Sequence, residues 1–311
     1  MLHPSLVNYV ASRREAPSPH FSTLSYPERR AANRRRAEEL RGEPEEMAEV
    51  RELKLSLQGR ELSSRLYIPK GDAGKALVIF FNGGSFVEGD LETHDTLVRR
   101  LASQTLMRFL AIDYRLAPEH PFPASLDDAR DVLHYVDENI SEFADERSRI
   151  IMMGDSAGAN LVAVTGTSVK NSVERLCAQV LIYPTLGPEL VTGSAHEFGT
   201  GYLCDVDELR YDYASYLGGY LDHSDPRVSP LMSTDLHDVV PTIMVIAECD
   251  PLRDEGLAYA GLLEHFNVHV VLLEAKGMIH SFMRLASIIP EARADMDDLA
   301  QHLRRFVGDE A

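Results

Sequence analysis

The chain has 311 residues, 44% of them hydrophobic and 26% charged, enough length for a sizeable core and a composition that is neither disordered nor fibrous. Its formal net charge of -18, from 49 acidic and 31 basic side chains, repels phosphate backbones and anionic membrane surfaces, which argues against nucleic acid as a partner. Three cysteines, Cys177, Cys204 and Cys249, match neither a zinc site nor a disulfide framework, the first ten residues lack the basic start and apolar core of a signal peptide, and no run nears the ~18 apolar residues of a membrane span, so the expectation is a soluble, cytoplasmic protein without stable membrane insertion.

Residues 1–50 are polar and helix-like, interrupted by Pro17, Pro19 and Pro27, and Ser25 to Glu28 has the spacing of a capping box opening a helix. Arg29, Arg30, Arg34, Arg35, Arg36 and Arg41 are basic enough for a patch. They alternate with Ala31, Ala32, Ala37 and Leu40 and precede Glu38 and Glu39, however, which reads as the solvated face of a helix. From Val50 the pattern changes: Leu53, Leu55 and Leu57 alternate with polar residues, and 66–69 continues in that style after a turn at Gly59, which predicts two antiparallel strands.

After Gly74, short apolar runs at 76–81, 109–112, 150–153, 180–183, 243–247 and 268–273 alternate with amphipathic segments at 91–103, 126–140, 157–168, 256–266 and 291–306. That rhythm is the mark of βαβ units, hence an α/β fold with a mainly parallel sheet covered on both faces. The stretch 185–241 breaks it with Tyr202, Tyr211, Tyr213, Tyr216, Tyr220 and many acidic residues. It is too long for a plain connection, so a mostly helical insertion above the sheet is expected.

Gly154-Asp155-Ser156-Ala157-Gly158 follows the apolar run 150–153 and precedes a helical segment, the strand, sharp turn and helix that a nucleophile elbow requires. A serine hydroxyl needs an imidazole to take its proton and a carboxylate to fix that imidazole's tautomer. Asp250 follows the run 243–247 and His280 follows the last strand, in the order serine, acid, histidine; Asp254 and Glu255 stand close enough in sequence to be the acid instead. Asn82-Gly83-Gly84-Ser85 follows the strand 76–81 where oxyanion donors belong, and the backbone N–H groups of Gly84, Ser85 and Ala157 are the expected donors.

These segments, together with Asp113-Tyr114-Arg115-Leu116-Ala117-Pro118-Glu119-His120-Pro121-Phe122-Pro123-Ala124 and Asp250-Pro251-Leu252-Arg253-Asp254-Glu255-Gly256, resemble the hormone-sensitive-lipase-like (family IV) microbial esterases of the α/β-hydrolase superfamily, over nearly the whole chain. The resemblance implies an eight-stranded, mostly parallel sheet in a catalytic domain from residue 51 to 311. A helical cap would come from residues 1–50 and an insertion at about 185–241. It further implies hydrolysis of short to medium acyl esters without cofactor or metal, Asp250 rather than Asp254 as the acid, and a possible homodimer. One departure concerns the oxyanion loop, which in the family begins His-Gly-Gly-Gly. Here Asn82 takes the imidazole's place as a brace with a donor and an acceptor, while the Cβ of Ser85 narrows the acyl or alcohol pocket and its hydroxyl adds a donor. The alternative functions are a non-catalytic small-molecule receptor on the same fold and a related peptidase.

Overall fold

The computed structural model describes residues 1–15, 19–72 and 74–308, the side chain of Asn171 excepted, so Pro17 lies outside the described residues. Helix α1 (Pro4–Glu15) is followed by α2 (Tyr26–Leu40), whose capping box forms as expected, Ser25 N–H donating to the Glu28 carboxylate at 2.8 Å. Strands β1 (Met47–Leu57) and β2 (Arg60–Pro69) make an antiparallel hairpin in which Leu57 faces Arg60 across Gly59. The turn residue has φ +76°, the left-handed region that glycine enters without a Cβ penalty.

Alternation then sets in: β3 (Ala76–Phe81), α3 (Leu91–Thr105), β4 (Arg108–Ile112), α4 (Ala124–Glu138), β5 (Arg149–Asp155), α5 (Ala157–Val169) and β6 (Leu176–Ile182). Two helices, α6 (Gly193–Phe198) and α7 (Val206–Leu217), precede β7 (Thr242–Cys249), α8 (Arg253–His265), β8 (Val270–Ile279) and α9 (Pro290–Gly308). Among the described residues these strands form one eight-stranded sheet in the order β1-β2-β4-β3-β5-β6-β7-β8. Only β1–β2 and β2–β4 pair antiparallel; from β4 to β8 all pairs are parallel.

The period of two along each strand divides the core into two layers. Leu77, Ile79 and Phe81 of β3 turn towards α4, α5 and α8, where Leu133, Val162 and Leu263 meet them in one buried cluster. Their neighbours Ala76, Val78 and Phe80 turn to the opposite face, against Val98 of α3, Leu6 of α1 and Met296 of α9. Burial on both faces explains the near-continuous apolarity of the parallel strands.

Two expectations need correction. In 185–241, helix is confined to α6, α7 and a single turn at Pro230–Met232. The remainder is rich in Gly, Asp, Ser and Pro, and side chains such as Asp222 and Asp225 bond backbone N–H groups two residues on, which favours turns over helix. Nor is the arginine-bearing side of α2 simply solvated: Arg34, Arg35 and Arg36 are exposed, but Arg29 is only 5% exposed and its guanidinium is surrounded by carboxylates of other elements. Periodicity along α2 alone carries no trace of those distant partners.

One buried carboxylate ties the hairpin to the parallel part. Asp128 of α4, fully buried, accepts from Arg60 Nε at 2.6 Å and from the Arg115 backbone N–H at 2.9 Å and Nη2 at 2.8 Å. Removing one partner of a buried pair leaves uncompensated charge. Asp128→Ala is therefore expected to cost about 3 kcal/mol of stability in denaturant unfolding, and a loss below about 1 kcal/mol would place this cluster among the weak surface pairs.

Candidate active site

Three residues stand immediately beyond strand ends: Ser156 after β5, Asp250 after β7 and His280 after β8. The structure brings them together. His280 Nε2 lies 2.9 Å from Ser156 Oγ, and His280 Nδ1 lies 2.7 Å from Asp250 Oδ2. Asp250 is 1% exposed and its other oxygen accepts the Leu252 N–H at 2.8 Å, which aims the carboxylate. Tyr183 meets the imidazole edge-on, ring centroids 5.0 Å apart. Asp254 instead accepts from Ser194 N–H, and Glu255 from Leu186 N–H, so neither alternative acid reaches the imidazole. Burial pushes the Glu255 carboxyl well above the usual carboxylate range, against the pull of the Leu186 N–H and with the charge of Asp250 adding to it.

A register shift aligns the acid with the histidine. Ala247 pairs with Ala275, but Cys249 pairs with Ile279, so β8 carries two extra residues over that interval. Gly277, at φ +70°, sits inside this bulge. Without the bulge Cys249 would face Gly277, and His280 would overshoot Asp250.

At the elbow Ser156 has φ +54° and ψ -116°, a strained geometry that lifts its hydroxyl between strand and helix. The flanking glycines are sterically obligatory: a Cβ at Gly158 would fall 2.0 Å from the Phe81 carbonyl oxygen, and one at Gly154 would fall 2.4 Å from the Gly158 carbonyl. Here φ is not the issue; close backbone approach is.

The expected oxyanion donors flank this hydroxyl. Ala157 opens α5, and Gly84 and Ser85 stand on the loop beyond β3 at φ +130° and +52°. No acceptor among the described residues takes their N–H groups. Asn82 braces the loop, Nδ2 donating to the Gly83 carbonyl at 2.9 Å while its own carbonyl accepts from Tyr114 at 2.7 Å. Ser85 lines the cavity together with Gly84 and Ser156.

Asp155, read from sequence only as the variable residue of the motif, joins these parts. Buried beside Ser156, it accepts the Gly83 N–H at 2.8 Å, and His94 Nε2 lies 3.4 Å from the same oxygen. Burial raises its pKa, but His94, the Gly83 N–H and the charge of Arg284 outweigh that and hold it below the usual range. A carboxylate next to a motif serine was the available signal; its partners on α3 and the loop were not visible in sequence.

The cavity above Ser156 and His280 measures about 510 Å³. Its walls come from 19–36, from the oxyanion loop and from 203–212. Arg29 crosses the wall, bonding Asp212 through both terminal nitrogens at 2.6 and 2.7 Å, Glu208 at 3.0 Å and Glu88 at 2.8 Å. Among the described residues no cluster of His, Cys, Asp or Glu is arranged to hold a metal ion, and no helix is long and apolar enough to cross a membrane.

Comparison with known proteins agrees with this geometry. A family model described as alpha/beta hydrolase fold matches residues 78–284. The chain is 37% identical over 255 residues to the ethyl acetate hydrolase of Pseudomonas putida, covering 79% of this chain and 80% of that one. It is 31% identical over 284 residues to an arylesterase of Saccharolobus solfataricus, covering 91% and 92%. Its structure is similar to that of an ester hydrolase from the metagenome of Lake Arreo, solved with a derivative of bipyridine phosphonate, at TM-score 0.91 and 32% identity over 98% of each chain.

Three carboxylates around one guanidinium leave Asp212 pushed up to about 7, by burial first, against the pull of Arg29 and with the help of Glu208 and Glu88. An acid with a raised folded-state pKa keeps a proton that the unfolded chain gives up. Its stabilising contribution is complete below the ordinary aspartate range and is lost as pH rises towards 7. Asp212→Asn is expected to gain melting temperature relative to the unmodified protein progressively from about pH 4 to 7; a constant offset between the two across that range would contradict the shift.

Proposed function

Because this chain belongs to the hormone-sensitive-lipase-like family of α/β-hydrolase-fold esterases and is a serine carboxylic ester hydrolase, we propose that Ser156, His280 and Asp250 carry its chemistry and that Gly84, Ser85 and Ala157 form its oxyanion hole. The observation that supports this reading best is the unbroken chain of hydrogen bonds from Asp250 through His280 to Ser156.

In this mechanism neutral His280 takes the Ser156 proton as Oγ attacks the ester carbonyl carbon. Asp250 holds the imidazole with Nδ1 as donor and stabilises the imidazolium as it forms. Negative charge that develops on the carbonyl oxygen meets the N–H groups of Gly84, Ser85 and Ala157, which are already oriented and unshared, so little reorganisation opposes the transition state. The tetrahedral intermediate expels the alcohol with the proton from His280, leaving Ser156 acylated. Water then repeats the sequence, deprotonated by His280, and Ser156 recovers its proton as the acid departs.

Residues 1–50 and the insertion at 185–241 act as the cap in this reading, since both contribute walls to the cavity over Ser156. A space of about 510 Å³ with many charged side chains in its walls suits short to medium acyl esters rather than long apolar chains. A relative named for ethyl acetate hydrolysis points the same way. Cys204 and Cys249, both buried and outside any disulfide, suit a reducing compartment, so a cytoplasmic setting belongs to the proposal.

Ser156→Ala is expected to lose turnover of a chromogenic short-chain ester by about 10⁴-fold or more while remaining folded, and His280→Ala to match it. Asp250→Asn should fall by about 10⁴-fold. A fluorophosphonate should label the unmodified protein on Ser156; labelling elsewhere, or turnover retained in Ser156→Ala, would remove Ser156 from its role. Across acyl lengths, activity should peak within the short to medium range, and a maximum at long chains would overturn the substrate assignment.

A further inference from the structure

Accepting Ser156 as nucleophile and residues 84–85 as oxyanion donors, we infer that α2 of the N-terminal segment positions the oxyanion loop, with Arg30 and Arg29 as its positioning residues. The loop has little internal support. It leaves β3 at Asn82 and passes through Gly84, Ser85 and Phe86, all at positive φ, before α3 begins. Its one backbone turn is closed by the Gly84 carbonyl, which accepts from Val87 N–H at 3.0 Å and Glu88 N–H at 2.8 Å. While the Gly83–Gly84 peptide is braced by Asn82 Nδ2 on the Gly83 carbonyl, the Gly84–Ser85 peptide, which carries the Ser85 N–H, is therefore fixed by where residues 87 and 88 are held.

Those two residues are held from α2. Arg30 Nε donates to the Val87 carbonyl at 2.7 Å, and its Nη2 donates to the Ala117 carbonyl at 2.8 Å. Ala117 in turn donates its N–H to the Phe86 carbonyl at 2.9 Å, so one guanidinium joins both sides of the loop's far end. Arg29 Nε lies 2.8 Å from the Glu88 carboxylate. Five residues further along α2, Arg34 bonds Asp90, which caps α3 through Thr93 N–H. Successive turns of one helix thus grip residues 87, 88 and 90. A planar guanidinium with several fixed donors can satisfy two carbonyls at once, which an ammonium cannot do with the same geometry.

The loop itself admits almost no slack for a substitute. A Cβ at Gly84 would sit 2.3 Å from the Glu88 carbonyl oxygen, and one at Gly89 would sit 2.2 Å from Asn82 Nδ2. Loosening Arg30 shifts Val87, and through the Gly84 carbonyl it turns the Ser85 N–H away from the developing oxyanion. Because the ground-state carbonyl depends on that donor less than the oxyanion does, the loss falls on the chemical step.

Arg30→Met keeps bulk and removes both carbonyl bonds; Arg30→Lys keeps the charge and one donor site; Glu119→Gln weakens only the outer partner of Arg30, bonded at 2.7 Å. The expected result for Arg30→Met is a fall in kcat of about tenfold with KM changed less than twofold, partly restored in Arg30→Lys and absent in Glu119→Gln. A trifluoromethyl ketone reports on the hole directly, since Ser156 Oγ adds to its carbonyl, His280 takes the proton and the resulting hemiketal oxyanion occupies the donors. Its affinity should fall across the variants by the same factor as kcat/KM. An unchanged kcat, a rise confined to KM, or ketone affinity that does not follow kcat/KM in folded Arg30 variants would overturn the inference. Should Arg30→Met fail to fold, Arg30→Lys and Glu88→Gln face the same criteria. Fluorophosphonate labelling of the unmodified Ser156 keeps the question of the nucleophile separate from that of the clamp.

Discussion

The 2.9 Å hydrogen bond between Ser156 and His280 joins the ends of two strands that stand three places apart in the sheet. At about 4.8 Å per strand, their backbones begin roughly 14 Å apart, well beyond the reach of a serine and a histidine left on a regular ladder. The elbow at Ser156 closes the gap from one side. The bulge in β8 sets the histidine level with Asp250 on the other, and Asp250, just beyond the end of the intervening β7, steadies the ring between them. Each device works only because β5 to β8 run parallel and end on the same edge, so the apolar runs that drive strand burial also bring the polar residues just beyond them together.

Electrostatics near the elbow follows from the same crowding. Backbones approach so closely that Gly154 and Gly158 admit no side chain, and Asp155 is drawn into the interior, where the neighbouring imidazole, the Gly83 N–H and the charge of Arg284 make its charge tolerable. The carboxylate thereby fixes the near end of the oxyanion loop. The far end is held from α2, a segment remote in sequence. Ser156, the loop beyond β3 and the cavity wall are in this way one mechanical unit, and the Arg29 cluster with its surplus of carboxylates is where that unit meets the 203–212 segment.

Much of this was legible in the chain. Apolar runs located the parallel strands, although β8 extends six residues beyond its run to Ile279, and motif context singled out Ser156, Asp250 and His280, because strand burial and the elbow both leave local marks. What escaped was non-local. Spacing alone left Asp254 and Glu255 beside Asp250 as candidate acids, and the groups that engage them, Ser194 and Leu186, lie on a segment about 60 to 70 residues earlier in the chain. The arginines of α2 looked solvated because their carboxylate and carbonyl partners lie about 60 to 180 residues away. The 185–241 segment looked helical from its length, whereas its polar side chains prefer to bond their own backbone.

The two additional residues in β8 keep the alternation of its side chains intact, since an even insertion returns every following residue to the face it would have occupied. The placement of the imidazole is accordingly a matter of counting as well as of identity. Grafting or trimming between Ala275 and Ile279 has to leave glycine at 277, where a Cβ would fall 2.6 Å from the His3 backbone nitrogen, and has to keep the parity of the segment, since a single deletion would break the alternation that faces the imidazole to its acid.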